Sequence, residues 1–334
     1  MIKLTEKIKV SVPEKIYELL RKDAKDFRII KPSGAENLNA LINNLVINFY
    51  EEFAADDEGL RESVSAALSA IPEKYAKDAF AAVMKAIAKN EKADDTLGKS
   101  VSLSFKPTKQ SEAVTLYIER VLLKNESLSS FYRRLFIAYA KKLKNEREKI
   151  IHKQNFVLLA SAAKQGLQIC LSLENGRVYE DVSVYAVAPA KDELFNYALL
   201  YSDKKNRTVR LAKIKTVSLL AKRAEIPESA KHLFVRQIEA GAQYPMYSTD
   251  NEPIRVQLSA KGRELFEKIY LYRPTPVAIE GDVYVFACSA NQVLYYFERF
   301  GAEALIISPK KLGIFMRNYY YFALKKYRSI YEND

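Results

Sequence analysis

Apolar and polar residues alternate with a period of two at two places in the first half of the chain. At residues 7–12, Ile8, Val10 and Val12 alternate with Lys7, Lys9 and Ser11. At residues 100–106, Val101, Leu103 and Phe105 alternate with Ser100, Ser102, Ser104 and Lys106. This period predicts a strand with one apolar and one polar face. A proline, Pro13 or Pro107, ends each alternation, and Pro13 suits the first turn of a helix. Helical spacing follows in both cases: Ile16, Leu19 and Leu20 after the first strand, Val114, Tyr117, Ile118 and Val121 after the second. Each copy then has a second amphipathic helix, in which residues 36–45 align with 126–135 and Asn37 and Ser127 take the N-cap positions. Strand, helix, helix therefore occurs twice. A single copy cannot close a core, whereas two copies can do so by pairing their strands.

Beyond the repeat the pattern changes twice. Residues 53–98, which join the copies, are Ala-rich and predict a helical connector. From residue 150 short strands follow, with turns at Asn175-Gly176 and at residues 203–206; Asn-Gly between alternating segments is a hairpin signal. A small, strongly bent all-β unit is expected there. From residue 253 the order is mixed: strand 254–258, helix 260–269, strand pair 277–287, helix 290–300, strand 304–307 and a long helix from 310. That order predicts an α+β module. The expected domains are 1–149 (with the connector 53–98), 150–248 and 249–334, and 334 residues suffice for three.

Charge adds a partner class. The net charge is +12, and residues 203–223 carry 8 Lys/Arg against one acid, Asp203. Such clustering is the footprint of a polyanion partner. Catalytic chemistry is not indicated: His152 and His232 lie in different segments, and no phosphate-binding loop, nucleophile elbow or metal-ligand spacing occurs. No enzyme activity, cofactor or metal is expected. Cys170 and Cys288 sit in apolar strand-like surroundings and are expected to be buried thiols. No apolar run approaches the ~20 residues needed to cross a bilayer. Residues 1–7 are charged where a secretory signal needs an apolar stretch, so no membrane association and a cytoplasmic location are expected. In the last helix Leu312, Phe315, Met316, Tyr319 and Ala323 are expected to form one apolar stripe for packing or dimerisation. The neighbouring Tyr319-Tyr320-Tyr321-Phe322, beside Lys325, Lys326 and Arg328, could alternatively stack unpaired bases.

The repeat resembles the ribbon-helix-helix family, in which two copies pair their strands into an antiparallel ribbon whose polar face enters a DNA major groove. Here both copies lie on one chain, implying a tandem, pseudo-dimeric domain. The resemblance implies that Lys7, Lys9, Ser11, Ser102, Ser104 and Lys106 read or hold nucleic acid. It further implies that the helix N-termini at Asn37 and Ser127 grip phosphate.

Residues 196–202, Asn-Tyr-Ala-Leu-Leu-Tyr-Ser, and 207–214, Arg-Thr-Val-Arg-Leu-Ala-Lys-Ile, resemble the paired strands of the WYL domain, of which Tyr197 keeps the tyrosine. The resemblance implies an Sm-like β-barrel and a positive pocket for an anion or nucleic acid, built from Tyr197, Arg207, Arg210 and Lys213. Residues 297–312 resemble the C-terminal extension that follows WYL domains, which implies a dimerisation module. The module order resembles the accessory proteins of type VI-D CRISPR systems. It implies a non-catalytic homodimer that binds single-stranded RNA and enhances a CRISPR effector ribonuclease. It equally fits WYL transcription regulators, which bind duplex DNA and sense a small anion.

Overall fold

A computed structural model describes residues 7–93, 99–123, 126–192, 194–247 and 252–331. The chain divides into two compact units, Met1–Lys153 and Gln154–Asp334. The N-terminal charges at residues 1–6, residues 94–98 of the connector and the boundary expected at 248/249 lie outside the described residues.

In the first unit, β1 (Ile8–Pro13) pairs antiparallel with β2 (Ser100–Phe105). Lys9 stands opposite Ser104 and Ser11 opposite Ser102, so the polar residues share one exposed face. Val10, Val12, Leu103 and Phe105 point the other way and are at most 1% exposed. Helices α1 (Glu14–Asp26) and α2 (Leu38–Ala67) follow β1; α4 (Lys109–Tyr117) and α5 (Leu128–Lys141) follow β2. Between the copies runs α3 (Glu73–Ala93). The copies interlock: α5 packs on β1 and α2 on β2. The core they close contains Leu20, Phe27, Leu41, Phe49, Tyr132, Phe136 and Tyr139, each at most 1% exposed. Residues 53–67, expected to begin the connector, instead continue α2 without a break. Part of the reason is electrostatic, since Arg134 of α5 reaches Asp57 at 2.7 Å and Glu126 at 2.6 Å.

Asn43 of α2 joins the two copies. Its amide donates to Asn39 O (2.7 Å) and Lys106 O (3.1 Å), and accepts from Thr108 N (3.0 Å) and the Ser111 hydroxyl. It thereby fixes the exit of β2 and the capping box at Thr108 that starts α4. Asn43→Ala is expected to cost about 2–3 kcal/mol in urea unfolding, because several inward groups lose their partner together. A loss below about 0.5 kcal/mol, the scale of an ordinary surface substitution, would show that the strand pairing alone sets this junction.

The first unit ends with α6 (Lys144–Ile151) and the first residue of α7 (Lys153–Gln165), and the second unit takes up α7 from Gln154. A five-stranded antiparallel sheet follows: β3 (Leu167–Leu173), β4 (Val178–Pro189), β5 (Asn196–Ser202), β6 (Lys205–Arg210) and β7 (Ile214–Arg223). Its order is β6-β5-β4-β3-β7. The Sm-like β-barrel implied by the WYL resemblance is therefore not formed: the sheet is open, with β6 and β7 as its two edges. Closure would need those edges to pair. Instead the 3₁₀ turn Leu211–Lys213 buries Leu211 and Ala212, and the Lys213 carbonyl accepts the Glu174 N–H at 3.1 Å. The chain is thus carried to the β3 side before β7 begins, where Ile214 and Val217 join Ile169 and Leu171 in one apolar cluster. Register shifts in β3 and β4 bend the sheet without closing it. Cys170 faces away from that cluster and is half-exposed rather than buried, whereas Cys288 is buried as expected.

After α8 (Glu228–Ala240) comes a four-stranded antiparallel sheet of order β11-β8-β10-β9. Its strands are β8 (Ile254–Leu258), β9 (Ala278–Glu280), β10 (Val283–Phe286) and β11 (Ala304–Ser308). Its helices are α9 (Ala260–Lys268), α10 (Ala290–Phe297) and α11 (Lys310–Tyr331), so the α+β order read from the sequence is the order observed. Phe266, Phe286, Tyr296, Phe297 and Phe300 form its aromatic core. Gly262 is required by proximity, since a Cβ there would run into the Glu303 carbonyl. The stripe expected on α11 is divided. Leu312 and Met316 are buried and Tyr320 packs beside them, one turn apart each, while Phe315, Tyr319 and Ala323 stay exposed.

Candidate nucleic-acid interface

In the first unit the candidate surface is the outer face of the ribbon. Lys7, Lys9, Ser11, Ser102, Ser104 and Lys106 are all exposed, and the pairing register gathers the strand residues among them on one side. Arg133 braces this ribbon from α5, its guanidinium donating to the Ser11 carbonyl at 3.2 Å. The Asn37 side chain accepts from Ala40 N at 3.1 Å and Ser127 from Ser130 N at 3.2 Å. Each cap thus meets one of the four N–H groups that a helix start leaves open. Arg134 serves structure. Burial works to raise the Asp57 pKa, but the guanidinium of Arg134, helped by Arg61, outweighs it and holds Asp57 below the usual carboxylate value. His152, outside any candidate site, hydrogen-bonds the Phe27 carbonyl at 2.9 Å.

In the second unit the four residues implied by the WYL resemblance do not share one neighbourhood. Tyr197 stands directly opposite Arg210 in the β5–β6 register, so their side chains project from the same face. Arg210 lies over the Phe195 ring, 3.4 Å from its centre. Arg207 stands opposite Leu200, on the other face. There its guanidinium donates to Ser202 Oγ at 2.7 Å and to Asp203 at 2.8 Å, and sits 4.9 Å from the centre of the Tyr179 ring. Strand alternation carried past Arg210 would return Lys213 to the face of Arg207. The strand ends at Arg210, however, and Lys213 falls in the 3₁₀ turn, exposed.

Arg207 opens instead onto a groove of 570 Å³ along the free edge of β6. Its lining includes Lys204, Lys205 and Arg207 and three tyrosines (Tyr179, Tyr201 and Tyr247), with no carboxylate among the described residues that line it. The near wall of α8 supplies Ser229, Ala230 and Leu233. That helix is held in place by the stacked pair Tyr185 and Phe234, 5.0 Å apart, and by Gln237, which donates to Thr208 Oγ1 at 2.8 Å and to Ala242 O at 2.7 Å. Cations beside aromatic faces suit phosphates and unstacked bases together. Tyr179, Tyr201 and Tyr247 were not legible as site residues, because they come from β4, β5 and the segment after α8 and no local spacing links them.

Among the described residues no group of His, Cys, Asp and Glu side chains could hold a metal ion, and no helix is long and apolar enough to cross a membrane. No protein-family model matches the chain, and no curated protein matches it in sequence. Among solved structures, the crystal structure of a CRISPR Cas-related protein matches 99% of this chain and 96% of its own, with a TM-score of 0.68 and 16% sequence identity. The chain has the fold of that CRISPR Cas-related protein. The likeness spans both units. Proteasome accessory factor B/C (PafBC) of Arthrobacter aurescens matches 68% of this chain and 37% of its own at 16% identity, but its TM-score of 0.23 is too low to carry structural weight.

Proposed function

We propose that this chain is a non-catalytic nucleic-acid-binding regulatory protein of a CRISPR system, a cytoplasmic homodimer that captures single-stranded RNA and enhances an RNA-guided ribonuclease. The observation that carries this reading is the groove beside β6, where Lys204, Lys205 and Arg207, the last paired to the exposed Asp203, meet three tyrosines. Phosphates would displace their counterions for Lys204, Lys205 and Arg207, and unpaired bases would lie against the rings. Most contacts would be to the backbone, so base selectivity would be loose. Tyr197 and Arg210 would act from the opposite face of the same strands, and Lys213 from the turn beyond them. The shared fold with a CRISPR Cas-related protein supports the system. The dimer is supported by α11, which leaves Phe315 59% and Phe322 63% exposed.

The ribbon favours a second reading, a transcription regulator that binds duplex DNA through Lys7, Lys9, Ser11, Ser102, Ser104 and Lys106, with Asn37 and Ser127 at the phosphates, and senses a small anion at Arg207. A paired titration separates the two, with labelled single-stranded RNA against duplex DNA of matched length at physiological and raised salt. Tighter RNA binding with a salt slope of about 0.7 per neutralised phosphate is expected. Lys7→Ala with Lys9→Ala should then leave RNA affinity within about threefold, since ~0.7 kcal/mol is the scale of a peripheral contact. Tighter duplex binding that this double variant abolishes would establish the regulator instead.

A further inference from the structure

The second unit holds another cavity, of 220 Å³, which shares no lining residue with the β6 groove. Lys191, Asp192, Tyr244, Tyr270, Tyr272 and Gln292 are among the residues that line it. Two of these are held in unfavourable states. Gln292, in the first turn of α10, is 2% exposed, and its Oε1 has no hydrogen-bond partner among the described residues. A buried polar atom left unmet costs stability and calls for a reason. Tyr272 has φ +64°, in the left-handed region that bulky side chains rarely enter. Such costs gather where a ligand is to be met.

The chemistry of the lining is narrow. Burial pushes the Tyr244 hydroxyl up to about 12, so it stays protonated and able to donate. Tyr272 is raised by burial and then by the Asp192 carboxylate beside it. Tyr270 is 78% exposed, an aromatic ring with no burial of its own to explain it. The volume is below the ~300–1,000 Å³ of drug-sized pockets, which suits one planar ring system. Flat faces for stacking and one buried amide for edge hydrogen bonds are what an unstacked base requires.

We propose that this cavity takes a single nucleobase, with its edge met by the Gln292 amide and its face against the Tyr270 ring. The proposal rests on the reading that the chain binds single-stranded nucleic acid, and it adds a position that meets a base edge to a surface otherwise read as holding phosphates and stacking bases. The base could come from a bound strand or from a free nucleotide, and the two sources are separable.

The test uses the full chain and two labelled oligonucleotides of equal length, one single-stranded RNA and one with an abasic backbone. The parent is expected to bind the RNA at least about tenfold more tightly than the abasic strand, the scale of one stacked base. Gln292→Met and, independently, Tyr270→Ala should each shrink that ratio by about threefold or more while leaving abasic affinity unchanged. Tyr270 is exposed, so its variant keeps the test valid even where Gln292→Met unfolds. Calorimetry with adenosine and with uridine is the second arm. Nucleoside binding by the parent that Gln292→Met or Tyr270→Ala weakens, with a strand ratio indifferent to both variants, identifies a free nucleotide as the occupant. A ratio unmoved by either variant, together with no nucleoside binding, overturns the proposal and leaves the β6 groove reading intact. If the parent binds neither strand, the proposed function fails, and the nucleoside arm alone decides the cavity: binding supports it and no binding overturns it.

Discussion

Asp23→Ala is expected to lower the stability of the first unit by about 3–5 kcal/mol, the scale for breaking a buried ion pair by removing one partner. Asp23 is 1% exposed on α1. The Arg147 guanidinium donates to it through Nε at 2.7 Å and Nη2 at 3.2 Å, and the Tyr139 hydroxyl donates at 2.9 Å. One carboxylate therefore ties the first helix of the first copy to α5 of the second copy and to α6 beyond it. Its removal leaves a guanidinium that is only 12% exposed with the Lys142 carbonyl in place of a carboxylate partner, and takes the carboxylate from a fully buried hydroxyl. Urea unfolding of the full chain, followed by a probe in the first unit, reads the loss. A change under about 1 kcal/mol would mean that the apolar core carries the interlock alone.

The same network sets an alkaline limit. Burial, and then the Asp23 carboxylate, hold the Tyr139 phenol well above its ordinary value. The unfolded chain ionises this tyrosine at about pH 10 while the folded chain does not. The contribution is therefore fully present below about pH 10 and lost as pH rises from there towards the folded value. Tyr139→Phe should remove that part of the alkaline loss.

Lys205→Ala with Arg207→Ala is expected to weaken single-stranded RNA binding by tenfold or more, on the order of 1.4 kcal/mol. It should also flatten the salt slope by about 0.7 for each phosphate that the variant no longer neutralises. Arg207 is the stronger member. Ser202 and Asp203 hold its guanidinium beside Tyr179, so little of its freedom remains to be given up on binding. Thermal stability should change little, because the Asp203 partner is 73% exposed and such pairs contribute weakly. Arg210 is left out of this pair because it lies over Phe195 on the opposite face of the strand. Equal RNA affinity and equal salt slope in variant and parent would remove the β6 groove from the binding surface.

Local patterns in the sequence determined a good deal. Alternation at residues 8–12 and 101–105 set the inner and outer face of each strand, and the observed burial follows it. Asn37 and Ser127 marked helix starts because short polar side chains can meet a first-turn N–H. The mixed order after residue 253 was read nearly element by element, since strong periods and turn residues are local signals. Only the tertiary structure decided the rest. A period of two says which face a residue takes, not which strand lies beside it, so the sheet's open edges at β6 and β7 were not legible. A strand also carries its alternation only as far as it runs, and the turn at Leu211–Lys213 took Lys213 out of register. The groove on β6, the Asp23–Arg147 tie and the cavity at Gln292 each join residues far apart in sequence. Such contacts depend on how complete elements pack, and local propensity carries no information about that.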